Sequence, residues 1–392
     1  MSEFVYFDHA ATTPMAPQVR DAMYPWLGEK FGNAATLYSV GAEASEAMET
    51  ARAAVASMLG SRPEEVYFTS CGTESDNWAL KGVGCVTCSC RGGSERPHII
   101  TDRAEHHAVL DTCEFLEGIG AEVTYLDVDG HGRVDPDDVK AAIRPGTRLV
   151  SIMHANNEVG SVNPIREIAR IAREAGVLMH TDAVQTVGKL SYSVDSLGVD
   201  LLSLSGHKFH GPKGVGALYI RKGVKLAPFM HGGGQELGKR AGTSNVPGIV
   251  GLGAASCLGC GGRDAEAARE KALSERLIAG VRERIPSVEI LGHPTERLPG
   301  TVCMVVEGIE GEAMVLSLDA EGFACASGSA CTTGSLDPSH VLLAMGLPHE
   351  RAHGSLRISF GRGSTEEQVD RFLEVFPGVV EKLRRMSPTW KD

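Results

Sequence analysis

Aromatic residues are scarce in this sequence, 5% of 392 positions, and no run approaches the roughly 20 consecutive apolar residues that span a bilayer. The nearest candidate, 246–258, is interrupted by glycines and by Pro247, which fits a small-residue helix packed inside the protein. Basic residues are the minority. Lys and Arg number 38 against 50 Asp and Glu, and the net charge of −12 argues against general nucleic-acid or anionic-membrane binding, since both need a basic face. The first residues carry no basic segment followed by an apolar run, so no signal peptide is expected. Internal repeats and low-complexity linkers are also missing. Ten cysteines at irregular spacing in a long chain do not read as a disulfide framework, so the expected compartment is the cytoplasm, with thiols reduced.

Glycine is what the chain has in excess: 47 of 392, about 12% against a usual value near 7%. The length predicts two domains, or one large and one small. Through the first two-thirds, β-rich runs at 66–69, 98–101, 121–126, 148–153, 177–180, 200–204 and 215–220 alternate with amphipathic stretches such as 43–59, 107–116 and 165–175. Asp135-Pro136 reads as an N-cap followed by proline at the first helical position. This alternation predicts a layered α/β domain with a mostly parallel sheet. After about residue 262 the pattern becomes α+β: a charged helix over 263–284, a strand over 301–306, a helix over 311–318, a Gly/Ser-rich loop at 327–335 and a last helix from Thr365. The expected division is a large domain over 16–260 and a small one made of 1–15 with 261–392.

In open α/β sheets ligands bind beyond the carboxyl ends of the strands. Four of the expected strands run into polar groups: Ser70-Cys71-Gly72-Thr73-Glu74-Ser75, His154-Ala155-Asn156-Asn157-Glu158, Thr181-Asp182-Ala183-Val184-Gln185 and Ser205-Gly206-His207-Lys208. A glycine and a hydroxyl at a helix start suit a phosphate, because free backbone N–H groups and the helix dipole both favour an anion. A lysine beside such a cradle suggests Schiff-base chemistry, with Asp182 suited to a pyridinium nitrogen. A solvated surface lysine and an ordinary N-cap are the alternatives. Near the end of the chain, Ser327-Gly328-Ser329-Ala330-Cys331 sets a thiol among small residues, where an exposed, mobile loop is expected. Cys325, beside Phe323 and Ala324, reads as a structural, buried cysteine.

These residues carry a family resemblance over nearly the whole chain. Tyr6-Phe7-Asp8-His9-Ala10-Ala11-Thr12-Thr13-Pro14, Glu105-His106, Thr181-Asp182-Ala183-Val184-Gln185, Ser205-Gly206-His207-Lys208, His231-Gly232-Gly233-Gly234-Gln235-Glu236, Arg240-Ala241-Gly242-Thr243, Ser327-Gly328-Ser329-Ala330-Cys331 and Leu356-Arg357-Ile358-Ser359 follow in order. The sequence resembles the cysteine desulfurases of the NifS/IscS group, within the class V aminotransferases. The resemblance implies a fold-type I pyridoxal-phosphate-dependent transferase, with a large domain around a mostly parallel sheet and a smaller α+β C-terminal domain.

It also implies roles. Lys208 would hold pyridoxal 5'-phosphate as a Schiff base and move the substrate Cα proton. Asp182 would pair with the ring nitrogen, Gln185 with its phenolic oxygen, and His106 would stack on the ring and act as an acid–base group. Gly72, Thr73, Ser205 and His207 would bind the phosphate, with Thr243 reaching in from the partner subunit of a homodimer. Arg357 would clamp the carboxylate of L-cysteine, assisted by Asn157 and Asn33. Cys331 would take the sulfur as a persulfide and pass it to an acceptor or iron–sulfur scaffold protein. Selenocysteine lyase, a true class V aminotransferase and a non-catalytic scaffold are the alternatives. The sequence departs from the family pattern at Cys71-Gly72, where Gly-Ala is more usual, and in Cys85-Val86-Thr87-Cys88-Ser89-Cys90. With Cys257 and Cys260 that segment offers two Cys-x-x-Cys pairs, but their separation argues against zinc.

Overall fold

The computed structural model describes residues 4–87, 96–328, 337–388 and 390. Among them, twelve strands are β1 (Val5–Tyr6), β2 (Val66–Thr69), β3 (His98–Asp102), β4 (Glu122–Leu126), β5 (Thr147–Ser151), β6 (Leu178–Asp182), β7 (Leu201–Ser205), β8 (Gly216–Ile220), β9 (Val288–Leu291), β10 (Thr301–Val306), β11 (Phe323–Ala324) and β12 (Ser355–Ser359). The central sheet has the order β2-β8-β7-β6-β5-β3-β4. β8 alone runs against its neighbours β2 and β7, while β7, β6, β5, β3 and β4 pair in parallel. Every residue of β2, β3, β7 and β8 is buried, as expected for strands covered on both faces. β4, at the sheet edge, is only half-buried.

Helices link these strands much as the periodicity indicates. The first long helix is Ser39–Leu59, four residues longer at its start than expected, and it stops at Gly60, whose φ of 65° is left-handed. Asp135 caps Pro136–Ala142 by accepting from the Asp137 N–H. The small-residue stretch forms a helix, Val246–Cys260, against Ser39–Leu59. A Cβ at Gly253 would lie 2.6 Å from the Ala51 Cα, so this close crossing requires glycine.

A second body holds the antiparallel sheet β12-β10-β9 and the helices Arg263–Arg284, Gly311–Ala320 and Glu366–Met386. The N-terminal strand belongs to it in space: β1 pairs in parallel with β11, and Val5 and Phe7 join the core built from Leu277, Met304, Ile358 and Phe372. Phe7 meets Phe360 edge-on at 5.0 Å, an attractive aromatic geometry. The core of the first body is separate and runs from Ala16 to Ala255. The chain then returns from β1 to the main sheet, so residues 8–13 pass across its carboxyl edge. Among the described residues no helix is long and apolar enough to cross a membrane.

Candidate active site

The carboxyl ends of β2, β3, β5, β6 and β7, or the segments that follow them, and Arg357 from the middle of β12 meet at one cavity of about 340 Å³, lined among others by Gly72, Thr73, His106, Asn157, Asp182, Gln185, Ser205, His207 and Lys208. β2 leads into Cys71, which also lines the cavity, and into the helix Gly72–Thr87, whose positive dipole end faces it. A Cβ at Gly72 would come within 2.6 Å of a Val184 methyl, so a bare backbone is needed there. The helix start is braced by Glu74, which accepts from the Ser70 N–H at 2.9 Å and from Arg240 at 2.8 Å.

Lys208 follows β7. Its ammonium donates to the Ala10 and Ala11 carbonyls at 2.6 and 2.9 Å, so the crossing N-terminal segment fixes the amine. Gln185 donates to the same Ala10 carbonyl at 3.0 Å. Asp182 ends β6 and is buried, with Oδ1 accepting from the Val184 N–H at 2.8 Å. Burial pushes its carboxyl up to about 6 despite that bond and the nearby Lys208 charge. Asp76 lies beside it, and burial followed by the Asp182 charge holds Asp76 well above the usual carboxylate range. His180, between the Ser151 and Ser203 hydroxyls at 2.8 and 3.0 Å, stays neutral because burial takes it down to about 3.

His106 is the N-cap of the helix His107–Gly118: its Nδ1 accepts from the Ala108 N–H at 3.0 Å. The neutral ring therefore carries its proton on Nε2. Burial, then the Lys208 charge, pushes it down to about 4. In this arrangement His106 is a neutral donor, and a base function at Nδ1 needs the cap bond released. His340 accounts for one neighbour of this region, its Nε2 meeting the Glu105 carbonyl at 2.9 Å and its ring lying 4.6 Å from that of His107. Arg357, 4% exposed in its side chain, pairs with Asp8 at 2.8 Å and donates to the Asn157 carbonyl at 3.0 Å.

Two of the expected residues stand apart. Asn33 is exposed, and its side chain accepts from the Ala35 N–H at 3.0 Å; it does not line the cavity. Thr243 is exposed as well and does not line it. Cys331 lies outside the described residues, as do Cys88 and Cys90, and nothing is described of the Cys85 side chain. Cys257 and Cys260 are exposed, and among the described residues no group of three or more His, Cys, Asp or Glu is arranged to hold a metal. Cys325 is buried and its thiol is pushed up to about 12 by burial, an inert environment. Sequence reasoning missed Asp76 and the Ala10 and Ala11 carbonyls. Asp76 had a signal, one helical turn after Gly72; a backbone carbonyl has none.

The residues fit a phosphorylated pyridoxal. The Ser205 hydroxyl is buried at the cavity without a hydrogen-bond partner among the described residues, beside the helix N-terminus where a phosphate would sit. The Asp182 carboxyl, raised by burial in spite of the nearby Lys208 charge, suits a protonated ring nitrogen, whose positive charge would favour the ionised carboxylate.

A mostly parallel sheet whose carboxyl edge bears a lysine, a buried aspartate and an anion cradle, faced by an arginine from the second body, is the fold-type I architecture of pyridoxal-phosphate-dependent transferases. The chain belongs to the class-V aminotransferase family, whose model matches residues 5–372. It is 52% identical over 384 residues to a cysteine desulfurase IscS of Methanosarcina thermophila, covering 98% of this chain and 94% of that protein. It is 50% identical over 394 residues to a cysteine desulfurase IscS of Dictyoglomus turgidum, covering 100% of this chain and 99% of that one. Among solved structures, a NifS-like protein matches with a TM-score of 0.89 at 40% identity, covering 97% of this chain and 100% of that one. A structure of SspA in complex with cysteine matches with a TM-score of 0.80 at 39% identity, covering 91% and 98%.

Proposed function

We propose that the protein is a cysteine desulfurase: it binds pyridoxal 5'-phosphate, converts L-cysteine to L-alanine and transfers the sulfur to Cys331 as a persulfide for iron–sulfur cluster or thio-cofactor assembly. The observation that carries this reading is the convergence of Lys208, Asp182, His106 and Arg357 on one cavity, in a chain about half identical to named cysteine desulfurases. When bound, the cofactor supplies an electron sink conjugated to the substrate Cα. Gly72, Thr73, Ser205 and His207 hold its phosphate, Asp182 its ring nitrogen and Gln185 its phenolic oxygen.

The protein's own groups do the rest. Arg357, oriented by Asp8 and Asn157, grips the substrate carboxylate and sets the Cα–H bond toward Lys208. Lys208 accepts the Cα proton and returns it. The Cys331 thiolate attacks the substrate sulfur: the new S–S bond forms as Cβ–S breaks, and the electron pair left on Cβ takes up a proton to give the methyl of alanine. No external oxidant enters, since the sulfur leaves with its bond to a second sulfur.

The domain division at about residue 260, with residues 1–15 in the smaller domain, is part of this reading and is supported by the two largest cores, which share no residue, while a smaller cluster with Ala104, Val159, Leu291 and Cys303 packs across the division. So is a homodimer. Thr243 and Asn33 stay outside their own cavity, on loops that also expose Phe31 (80%), Leu37 (102%) and Leu237 (75%), an apolar surface that a second copy would cover. A cytoplasmic location and transfer to a separate acceptor or scaffold protein complete the proposal.

The test is Cys331→Ala. The purified variant should keep the yellow colour of the loaded protein and lose transfer of sulfur from L-cysteine to a thiol acceptor. Full transfer by the variant would overturn the proposed route, and turnover confined to selenocysteine would assign the protein as a selenocysteine lyase.

A further inference from the structure

Beside the cavity lies a small pocket that shares Lys208 with it and otherwise holds polar groups that the proposed reaction does not use. Lys189 lines it together with His9, His210, Glu266 and Glu270. Lys189 does not line the main cavity, yet its Nζ donates to the Gln185 Oε1 at 3.3 Å. On the other side of the same amide, the Gln185 Nε2 donates to the Ala10 carbonyl at 3.0 Å.

An amide has one acceptor end and one donor end, and its two orientations occupy nearly the same space. Here both neighbours dictate the same choice. The ammonium of Lys189 can only donate, and the carbonyl of Ala10 can only accept. Reversing the amide would set NH₂ against NH₃⁺ and oxygen against oxygen, so the ionised lysine locks the NH₂ end on the side facing the cavity. Gln185 is buried, which makes either mismatch costly.

We propose that Lys189 is a positioning residue: it fixes the polarity of the Gln185 amide so that an N–H is presented to the phenolic oxygen of the cofactor. This rests on the assignment of Gln185 to that oxygen made above. An N–H aimed at an oxyanion stabilises its deprotonated form, so a freely turning amide would let that oxygen hold protons more tightly. The charged and titratable groups around Lys189 are Glu266, Glu270, Arg357, His9, His207 and His210, with Lys208 and Arg362 lining the same pocket. Burial, the largest influence, and Arg357 lower the Lys189 ammonium from its ordinary value, while Glu270 and Glu266 favour the charged form. A lysine that served only to neutralise Glu270 is the competing explanation, and it predicts no effect on the cofactor.

The experiment compares wild type, Lys189→Met, Lys189→Arg, Gln185→Ala and Gln185→Ala with Lys189→Met. Each is read by the pH dependence of the bound cofactor's absorbance and by the affinity of the apoprotein for pyridoxal phosphate. Lys189→Met is expected to move the absorbance transition upward by about one pH unit and to weaken cofactor binding roughly tenfold, the scale of one hydrogen bond to a charged group. Lys189→Arg should restore wild-type behaviour. In the Gln185→Ala background, Lys189→Met should change both readouts by less than about twofold, because the pair acts through one contact. If Lys189→Met fails to fold, Lys189→Gln makes the same comparison with a smaller shift in the same direction. An unchanged transition and affinity in the neutral variant would overturn the inference, and so would an equal shift with and without Gln185. A wild-type protein that takes up no cofactor would instead overturn the function proposed above.

Discussion

His106 gives the most exacting test of the site's geometry. Its Nδ1 accepts the Ala108 N–H at 3.0 Å, so a protonated ring would lose that bond and set two N–H groups against each other. Burial and the neighbouring Lys208 act in the same direction, and the fall from 6.5 to about 4 corresponds to about 3 kcal/mol in favour of the neutral ring. Because the folded ring binds a proton less readily than the unfolded one, the effect on stability is nil above about pH 6.5 and becomes a loss as pH falls toward 4. The assay is NMR of protein labelled with ¹⁵N at histidine, assigned with His106→Asn. The His106 signals should show the Nε2–H tautomer and no inflection between about pH 5.5 and 8.5, where an unperturbed histidine titrates. His106→Asn keeps an acceptor at the cap and should melt within about 1 °C of wild type. His106→Ala loses the cap, roughly 1 kcal/mol, and should melt about 2 °C lower. A titration of His106 near pH 6.5, or equal melting of the alanine and asparagine variants, would refute the capped, neutral histidine.

Glu158 is buried, and that burial pushes its carboxyl up to about 7 although the Ser339 hydroxyl donates to it. The folded state therefore holds a proton that the unfolded chain gives up near 4.5, and stability should decline as pH rises from about 4.5 to 7, then level off. Glu158→Gln keeps an acceptor for Ser339 and should gain roughly 2 kcal/mol at pH 8 with no gain at pH 4.5, measured by urea unfolding; equal effects at both pH values would count against the protonated acid. Arg52 and Glu236 form an ion pair whose side chains are 12% and 5% exposed, and Glu236 also accepts from the Phe68 N–H at 2.9 Å. That anchor holds Glu236 and Leu237 at positive φ (45° and 55°) in the segment leading to Thr243. Arg52→Met should cost about 3–5 kcal/mol by leaving Glu236 buried and unpaired, while pairing it with Glu236→Leu should recover much of the loss in the same unfolding assay.

The sheet and its helices were largely legible because both faces of the central strands are buried and the connecting helices are amphipathic. The helix Arg263–Arg284 and the strand Thr301–Val306 have the expected bounds, and Thr365 caps the last helix with Gln368 as its capping-box partner. What the sequence concealed depends on long-range contacts. The antiparallel direction of β8 follows from its short connection to β7 and leaves no mark on a run that is apolar throughout. The pairing of β1 with β11 joins residues more than 300 apart, so two short strands gained meaning only from each other. In the site, the side chains at strand ends stood out because polar groups follow apolar runs. The Ala10 and Ala11 carbonyls, the capping use of His106 and the reach of Lys189 to Gln185 are matters of backbone position and hydrogen-bond direction, which residue type does not encode.

The central claim is transfer of sulfur from L-cysteine to one thiol of the chain. Incubating the pyridoxal-phosphate-loaded protein with L-cysteine, without reductant, and locating added sulfur by mass spectrometry of its peptides tests it directly. The expected result is one extra sulfur atom on the peptide containing Cys331, appearing with an equal amount of L-alanine. Alanine formed with no sulfur on Cys331, or a keto acid in place of alanine, would contradict the account.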